Sequence, residues 1–498
     1  MISSTESEAR AALDGSAEGL RRALSAAPLL CDLYELTMSQ GFWAKQPNAR
    51  ASFTYFVRRA PFGGEYIVVA GVEPLLDALV GLELSHTDLE YLGQLGCFQP
   101  EFLAALRGLR FDGSVFCVAE GETVFAGEPV LRVEGPLLTA QLVSGLVLSH
   151  LNYQSAIATK AARIVDAASG RPVVELGVRR AHGLAGSSYA SRAAYLAGVD
   201  FTSNVLAGKL FGVPVAGTMA HSWVMSFDSE AEAFEAYAAL YPDRCTLLID
   251  TYSSAEGLRR AIPVLQALQQ RGGRSLGVRL DSGDPEELVP WVRRELDASG
   301  LDAARIVLSG DLDEHRIAAL VSAGTPVDVW GVGSRLGTAH DDPALSGVYK
   351  LCAMGSGASQ RPCMKLSDSR EKSSLPGPTN LIRLHAESGA PVADIIASEA
   401  ELESGELAAI VAETGRRCTR AEVLLKPKIR GGARVDVAAE LGENRARALA
   451  DRQRLPASVR RLCQPEPFPV AYSSGLRRLM AELRDAAPAD QRTARGVS

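Results

Sequence analysis

Between residues 172 and about 354 the chain alternates short apolar runs with helical stretches, and that rhythm constrains the fold more than any other feature. The runs are PVVEL, VPVAG, TLLID, SLGVRLD, RIVLS and VDVWGVG, separated by helical periodicity over 229–241, 254–270 and 285–299. Strand followed by helix, repeated, predicts a parallel sheet and in particular a β/α barrel. The spacing is uneven, so the expectation is an irregular barrel rather than eight equal units. In such folds the carboxyl ends of the strands carry the chemistry.

Several strand ends here carry polar groups. The run Pro172–Leu176 breaks at Gly177 and delivers Arg179, Arg180 and His182; the run Val213–Ala216 breaks at Gly217 and delivers Thr218 and His221. Two arginines beside a histidine and a threonine suit an anionic substrate. In GVRLDSGD the strand period of two turns Val278 and Leu280 to the helical layer and points Arg279 and Asp281 inward. A structural ion pair between the last two is a competing account. VDVWGVGSRLG runs a strand into Gly331, Gly333 and Ser334, the position after a final barrel strand where backbone N–H groups commonly hold phosphate. SGD at 309–311 and Asp250 also lie at strand ends, where helix capping explains them as well as ribose or Mg²⁺ binding does.

Around this core the chain reads as further segments. Residues 1–27 form a flexible arm, and 28–145 an amino-terminal α/β domain. A helix is expected from Leu137 to Ala168, the barrel domain over 146–355, and a carboxy-terminal segment over 356–498. That segment has short strands at LIRLH, VADIIA and EVLLKPKI and a final helix over 473–484. Asp32 is a plausible N-cap for a helix that places Tyr34 in its first turn.

With 47% apolar residues and a net charge of −7 from dispersed basic and acidic groups, the chain is a folded protein without a nucleic-acid footprint. An anionic substrate must therefore be met by a local cluster. Eight cysteines with no CxxC pair and no zinc spacing read as reduced thiols. No apolar run is long enough to span a bilayer and the first residues lack a signal-peptide pattern, so the expected place is the cytoplasm, with no membrane partner.

The segments ELGVRRAHG, FTSNVLAGKLFGVPVAGT and AHSWV, together with CDLYELTMSQGFW, FVRRAPFGGEYIVVAGVE, EGPLLTAQL, LNYQSAIATKAAR, LIDTYSS, GVGSRLGTAHDDPALSGVYKL and MKLSDSREKSSLPG, resemble the nicotinate phosphoribosyltransferase family over most of residues 30–385. The resemblance implies a type II phosphoribosyltransferase-like barrel whose tail packs back on the amino-terminal domain. It implies transfer of phosphoribosyl from 5-phosphoribosyl 1-pyrophosphate to nicotinate, with Mg²⁺ on the phosphates and ATP as co-substrate, in NAD salvage. It further implies that Tyr34 stacks on the pyridine ring, that Arg279 and Thr218 contact nicotinate, that Gly331, Gly333 and Ser334 hold the 5-phosphate, and that His221 is phosphorylated by ATP. Many relatives have Thr where this chain has Ser334, which keeps the hydroxyl. A homodimer is implied as well, with Tyr34 contributed by the opposite subunit. The Mg²⁺ ligands are not assigned. Rival readings are a nicotinamide or quinolinate phosphoribosyltransferase and a non-catalytic nucleotide-binding barrel.

Overall fold

A computed structural model describes residues 28–356, 359–365 and 374–486. The arm expected over 1–27 and residues 366–373 of the MKLSDSREKSSLPG segment lie outside the described residues. The chain divides into two compact units, one made of the residues up to 159 with those from 344 onward, the other of Lys160–Pro343. Sequence alone puts the second unit at 146–355. The difference has two causes: the boundary at 160 falls within the helix Ser144–Ala167, and the strand Gly347–Ser356 pairs antiparallel with Ala49–Val57 of the first unit.

The first unit holds a seven-stranded antiparallel sheet with Ala49–Val57 near its centre, flanked by Gly347–Ser356 and Pro129–Pro136. Seven consecutive residues of Ala49–Val57 are buried, so both faces are covered. The carboxy-terminal strand Lys426–Arg430 joins the same sheet beside Ser114–Cys117. A second sheet of four strands contains Thr379–His385 and Pro391–Ser398, and Ile382, Leu384, Ile395 and Ala397 pack with Ile410 into its own core. The helix expected over Leu137–Ala168 is two helices, Leu137–Leu142 and Ser144–Ala167. Beside the break the chain is packed tightly: a side chain at Gly145 would run into the Leu30 carbonyl, and Ser144 is hydrogen-bonded to Glu35.

Arg383 lies buried in this unit among Glu122, Asp394 and Glu128. Burial pushes the Glu128 carboxyl well above the usual carboxylate range, and the neighbouring Asp394 adds to it. One Glu128 oxygen accepts from Phe125 N–H, while Oε1 meets no donor among the described residues. That oxygen is satisfied only if Glu128 carries a proton and donates it to Asp394. A raised folded-state pKa means that the stabilisation is complete below the unfolded carboxylate pKa and disappears as pH rises through the raised value. Glu128→Gln replaces the protonated acid with a neutral donor of the same shape. Amide hydrogen exchange in Thr123–Phe125 at a series of pH values, corrected for the intrinsic rates, should therefore show a smaller loss of protection toward alkaline pH than the wild type shows; an unchanged slope would assign the proton elsewhere.

The second unit is built on a six-stranded, wholly parallel sheet in the order Phe201–Thr202, Val173–Glu175, Val329–Val332, Arg305–Leu308, Gly277–Leu280, Thr246–Leu248. This α/β organisation is the one the strand–helix rhythm predicts. Among the described residues no hydrogen bonds join the two outer strands, so the ladder by itself establishes the parallel sheet and not a closed ring. The apolar run Val213–Ala216, expected as a full strand, contributes a single bridge, Thr202 to Val215. Pro214 lacks an N–H to donate and the run ends at Gly217, which leaves little ladder to extend.

Alternation along these strands separates two environments. Val173, Leu247, Val278, Leu280, Ile306, Leu308, Trp330 and Val332 are at most 2% exposed. The helices Ser254–Gln270 and Pro285–Ala298 pack on this layer with Leu258, Leu265, Val289, Val292 and Leu296, each full burial contributing about 1.5–3 kcal/mol. Ser253, Asp284 and Asp313 cap the helices that follow three successive strands. These caps turn the chain sharply at the strand ends and leave the loop residues between strand and cap free for other contacts.

Candidate active site

Arg279 and Asp281 emerge from the strand Gly277–Leu280 on the face away from the helices, as the alternation predicts. The Arg279 guanidinium is held on two sides. Nε donates to Ser309 Oγ at 2.8 Å and Nη2 to Asp281 Oδ1 at 2.7 Å. Its Nη1 reaches Thr218 Oγ1 and the Met219 carbonyl only at 3.4 and 3.5 Å. A guanidinium has five donors in a fixed plane, so the rigidly held edge leaves the Nη1/Nη2 fork in register for a carboxylate. The side chain is 17% exposed, which excludes bulk water from most of it.

Asp281 in turn accepts from Ser309 Oγ at 2.5 Å. Burial pushes its carboxyl up, but the Ser309 hydroxyl, the Arg279 guanidinium and His221 outweigh this and hold it below the ordinary range. Its backbone N–H donates to Asp250 Oδ2, which also accepts from Ser282, while Asp250 Oδ1 is buried without a partner among the described residues. Gly310, at φ +99°, is required here because a side chain would collide with the Asp281 carbonyl.

His221 begins the short helix His221–Met225, three residues after Thr218. Its Nδ1 lies 3.2 Å from Thr251 Oγ1, and Nε2 lies 3.9 Å from Asp281 Oδ2. With 42% of the side chain exposed, the ring is oriented yet accessible. Thr218, His221, Arg279 and Asp281 thus form one cluster.

The turn after Val173–Glu175 carries Arg179 and Arg180, both exposed. Glu175 fixes that turn: its buried carboxylate accepts from Gly177 N–H, from Ser191 Oγ at 2.9 Å and from Thr202 Oγ1 at 2.6 Å. A side chain at Gly177 would strike the Glu175 carboxylate and crowd the Gly333 carbonyl and Gly337. The arginine turn therefore packs against Gly333 and Ser334, which follow the strand Val329–Val332; Gly331 is buried inside that strand. Tyr34 sits in the first turn of Leu33–Lys45 in the other unit, 53% exposed. Sequence reasoning missed Glu175, Ser309 as the Arg279 anchor, and Thr251 as the His221 partner. The hydroxyl partners sit about thirty residues from the groups they hold, and no local spacing signals such contacts.

A parallel β/α frame whose strand ends gather an anchored arginine, a threonine, a histidine, carboxylates and a glycine turn beside two arginines defines an enzyme for anionic, phosphorylated small molecules. Comparison narrows this to the phosphoribosyltransferases, of the glycosyltransferase class. Residues 29–152 match the nicotinate phosphoribosyltransferase N-terminal domain, 172–378 the nicotinate phosphoribosyltransferase family and 379–480 its C-terminal domain. A nicotinate phosphoribosyltransferase of Mycobacterium tuberculosis is 46% identical over 66% of this chain and 71% of its own. The human enzyme is 34% identical over 92% of this chain and 97% of its own. The crystal structure of human nicotinic acid phosphoribosyltransferase superposes with a TM-score of 0.79 at 32% identity, covering 91% of this chain and all of that one. The chain belongs to the nicotinate phosphoribosyltransferase family.

Proposed function

We propose that this protein makes nicotinate mononucleotide and pyrophosphate from nicotinate and 5-phosphoribosyl 1-pyrophosphate, assisted by ATP through a phosphohistidine at His221, in NAD salvage. The observation that carries the reading is the Arg279 fork, anchored by Asp281 and Ser309 and directed at Thr218. A planar carboxylate takes two parallel N–H···O bonds from it while the Thr218 hydroxyl orients the ring. The pyridine nitrogen, with a free lone pair at neutral pH, attacks C1 of the ribose as pyrophosphate leaves. No general base is needed, and the transition state resembles an oxocarbenium ion stabilised by electrostatics.

The backbone N–H groups at Gly333 and Ser334, at the end of the strand that holds Gly331, receive the 5-phosphate, and Arg179 and Arg180 offset charge on the leaving pyrophosphate. Mg²⁺ bound to the substrate phosphates would supply further neutralisation. The residues fit such an ion, because Mg²⁺ binds through one or two carboxylates plus phosphate oxygens, and the unpartnered Asp250 Oδ1 and the ionised Asp281 are available. Tyr34, exposed in its own unit, is suited to stack on the pyridine from the opposite subunit of a homodimer. The second unit serves as an irregular type II barrel frame. That reading is supported by side chains of both outer strands, Phe201 and Thr246, lining one cavity. All eight cysteines are free, which suits the cytoplasm. No helix among the described residues is long and apolar enough to cross a membrane.

A ring nitrogen of His221 attacks the γ-phosphorus of ATP, ADP departs, and water later cleaves the P–N bond. Thr251 and Asp281 hold the ring for that exchange. In His221→Ala, nicotinate mononucleotide formation without ATP should stay within about ten-fold of wild type while stimulation by ATP vanishes. Radiolabel from γ-labelled ATP should no longer enter the protein. Stimulation that survives the substitution would remove His221 from the ATP step.

A further inference from the structure

The face of the parallel sheet turned away from the helices lines a cavity of about 770 Å³. One end is the site above, marked by Leu176, Thr218 and Arg279. The other end lies at the amino-terminal ends of the strands, where Arg244, Arg274 and Arg305 line the wall with Asp243. Register places them together: Arg305 opens its strand opposite Gly277, three residues after Arg274, and Thr246, two residues after Arg244, also pairs with Gly277. Backbone bonds from Ser275 N–H to the Asp243 carbonyl and from Arg305 N–H to the Leu276 carbonyl tie the three loops side by side. None of the three guanidiniums makes an ion pair among the described residues, and three cations face one carboxylate. A fourth, Arg171, stands at the same end beside Pro172 with a buried Nη1 that has no partner among the described residues. Between the two ends the wall is apolar, with Val174, Val307 and Val329.

Arg279 pairs with Val307, two residues beyond Arg305, so the two cationic levels are separated by about 7 Å of strand. Three exposed arginines against the one carboxylate of Asp243 leave a net positive mouth on an apolar cavity, and a planar guanidinium fork matches a carboxylate. We infer that the amino-terminal mouth of this cavity is a second ligand site, distinct from the Arg279 site, which takes an aromatic carboxylate with its ring against the valines and its carboxylate on Arg244 and Arg305. The volume and the apolar wall with few polar groups are those of a small-molecule site.

The test is ¹⁹F NMR titration of 4-fluorobenzoate into the full-length protein without phosphoribosyl substrate. Arg279→Ala should still bind the probe through the second mouth. Adding Arg244→Gln and Arg305→Gln to it should weaken that binding about ten-fold or more. The two glutamine substitutions alone, on exposed side chains, should leave folding and kcat with nicotinate unchanged. Loss of all binding in Arg279→Ala, or binding that persists after the glutamine substitutions, would overturn the second site. Binding of inorganic phosphate but not fluorobenzoate at these arginines would overturn the aromatic class. Turnover of nicotinate is read separately, so failure of the proposed function is distinguishable from failure of this site.

Discussion

Replacing Arg279 with alanine should lower kcat/KM for nicotinate by about 10²–10³-fold while changing turnover of nicotinamide far less. The lost interaction is two parallel hydrogen bonds between charged groups, each contributing a net of about 1.5–3 kcal/mol, and the lower part of their sum, about 3–4 kcal/mol, corresponds to this loss. Nicotinamide offers no carboxylate to the fork, so the preference for the acid should collapse. Arg279→Lys keeps the charge but not the planar pair of donors, and its recovery should be partial. A second consequence concerns Asp281, whose carboxyl is held low by Ser309, Arg279 and His221 against the opposing effect of burial. Removing the guanidinium lets that pKa rise, so the acid limb of the pH–rate profile should move to higher pH. Steady-state kinetics with both bases across pH, with thermal melts to confirm folding, check all three points. An equal loss for nicotinate and nicotinamide would reduce Arg279 to an ion-pair partner of Asp281.

Local pattern carried a large part of the geometry of the candidate site. Period-two alternation put Arg279 and Asp281 on the cavity face, and the breaks at Gly177 and Gly217 marked where Arg179, Arg180, Thr218 and His221 leave the sheet. Such information lies within a few residues of each position. The partners that complete the site do not: Ser309 reaches Arg279 and Thr251 reaches His221 from neighbouring strand ends, and Glu175 is met by Ser191 and Thr202. A serine at a strand end carries the same signal whether it caps a helix or holds a guanidinium. The fold shows the same division. Strand–helix rhythm predicts the parallel sheet, but the pairing of 347–356 with 49–57 spans some 300 residues, and nothing in either segment specifies the other. The same limit explains why Val213–Ala216, apolar enough for a strand, makes only one bridge.

Arg383→Met should destabilise the first unit by about 3–5 kcal/mol, one of the largest single-site effects in the chain. The arginine is buried and all its ends are committed. Nη1 donates to Glu122 at 2.6 Å, Nε and Nη2 to Asp394 at 2.9 and 2.6 Å, and Nη2 also to the Thr123 carbonyl at 2.8 Å. It thereby ties the strands Thr379–His385 and Pro391–Ser398 to Thr123–Phe125, which come from opposite ends of the chain. Methionine fills much of the volume but leaves Glu122 and Asp394 buried without their cation, with Glu128 beside them. The coulombic pull of Asp394 and Glu122 outweighs burial and keeps Arg383 charged at any working pH, so the wild-type network loses nothing from its cation as pH changes. In the variant the penalty should instead grow with pH, as carboxyls already pushed up by burial are forced to ionise unpaired. Unfolding of a two-unit chain is not a single transition, so amide hydrogen exchange in Thr379–His385 is the better measure. Exchange there should accelerate about 10²–10³-fold at neutral pH, less at pH 5, while Gly277–Leu280 in the other unit stays protected. Uniform acceleration in both units, or a change below about ten-fold, would show that the arginine does not bind these strands together. Adding Glu122→Gln to Arg383→Met removes one of the carboxyls left without the cation and should recover part of the loss, which separates charge burial from simple packing.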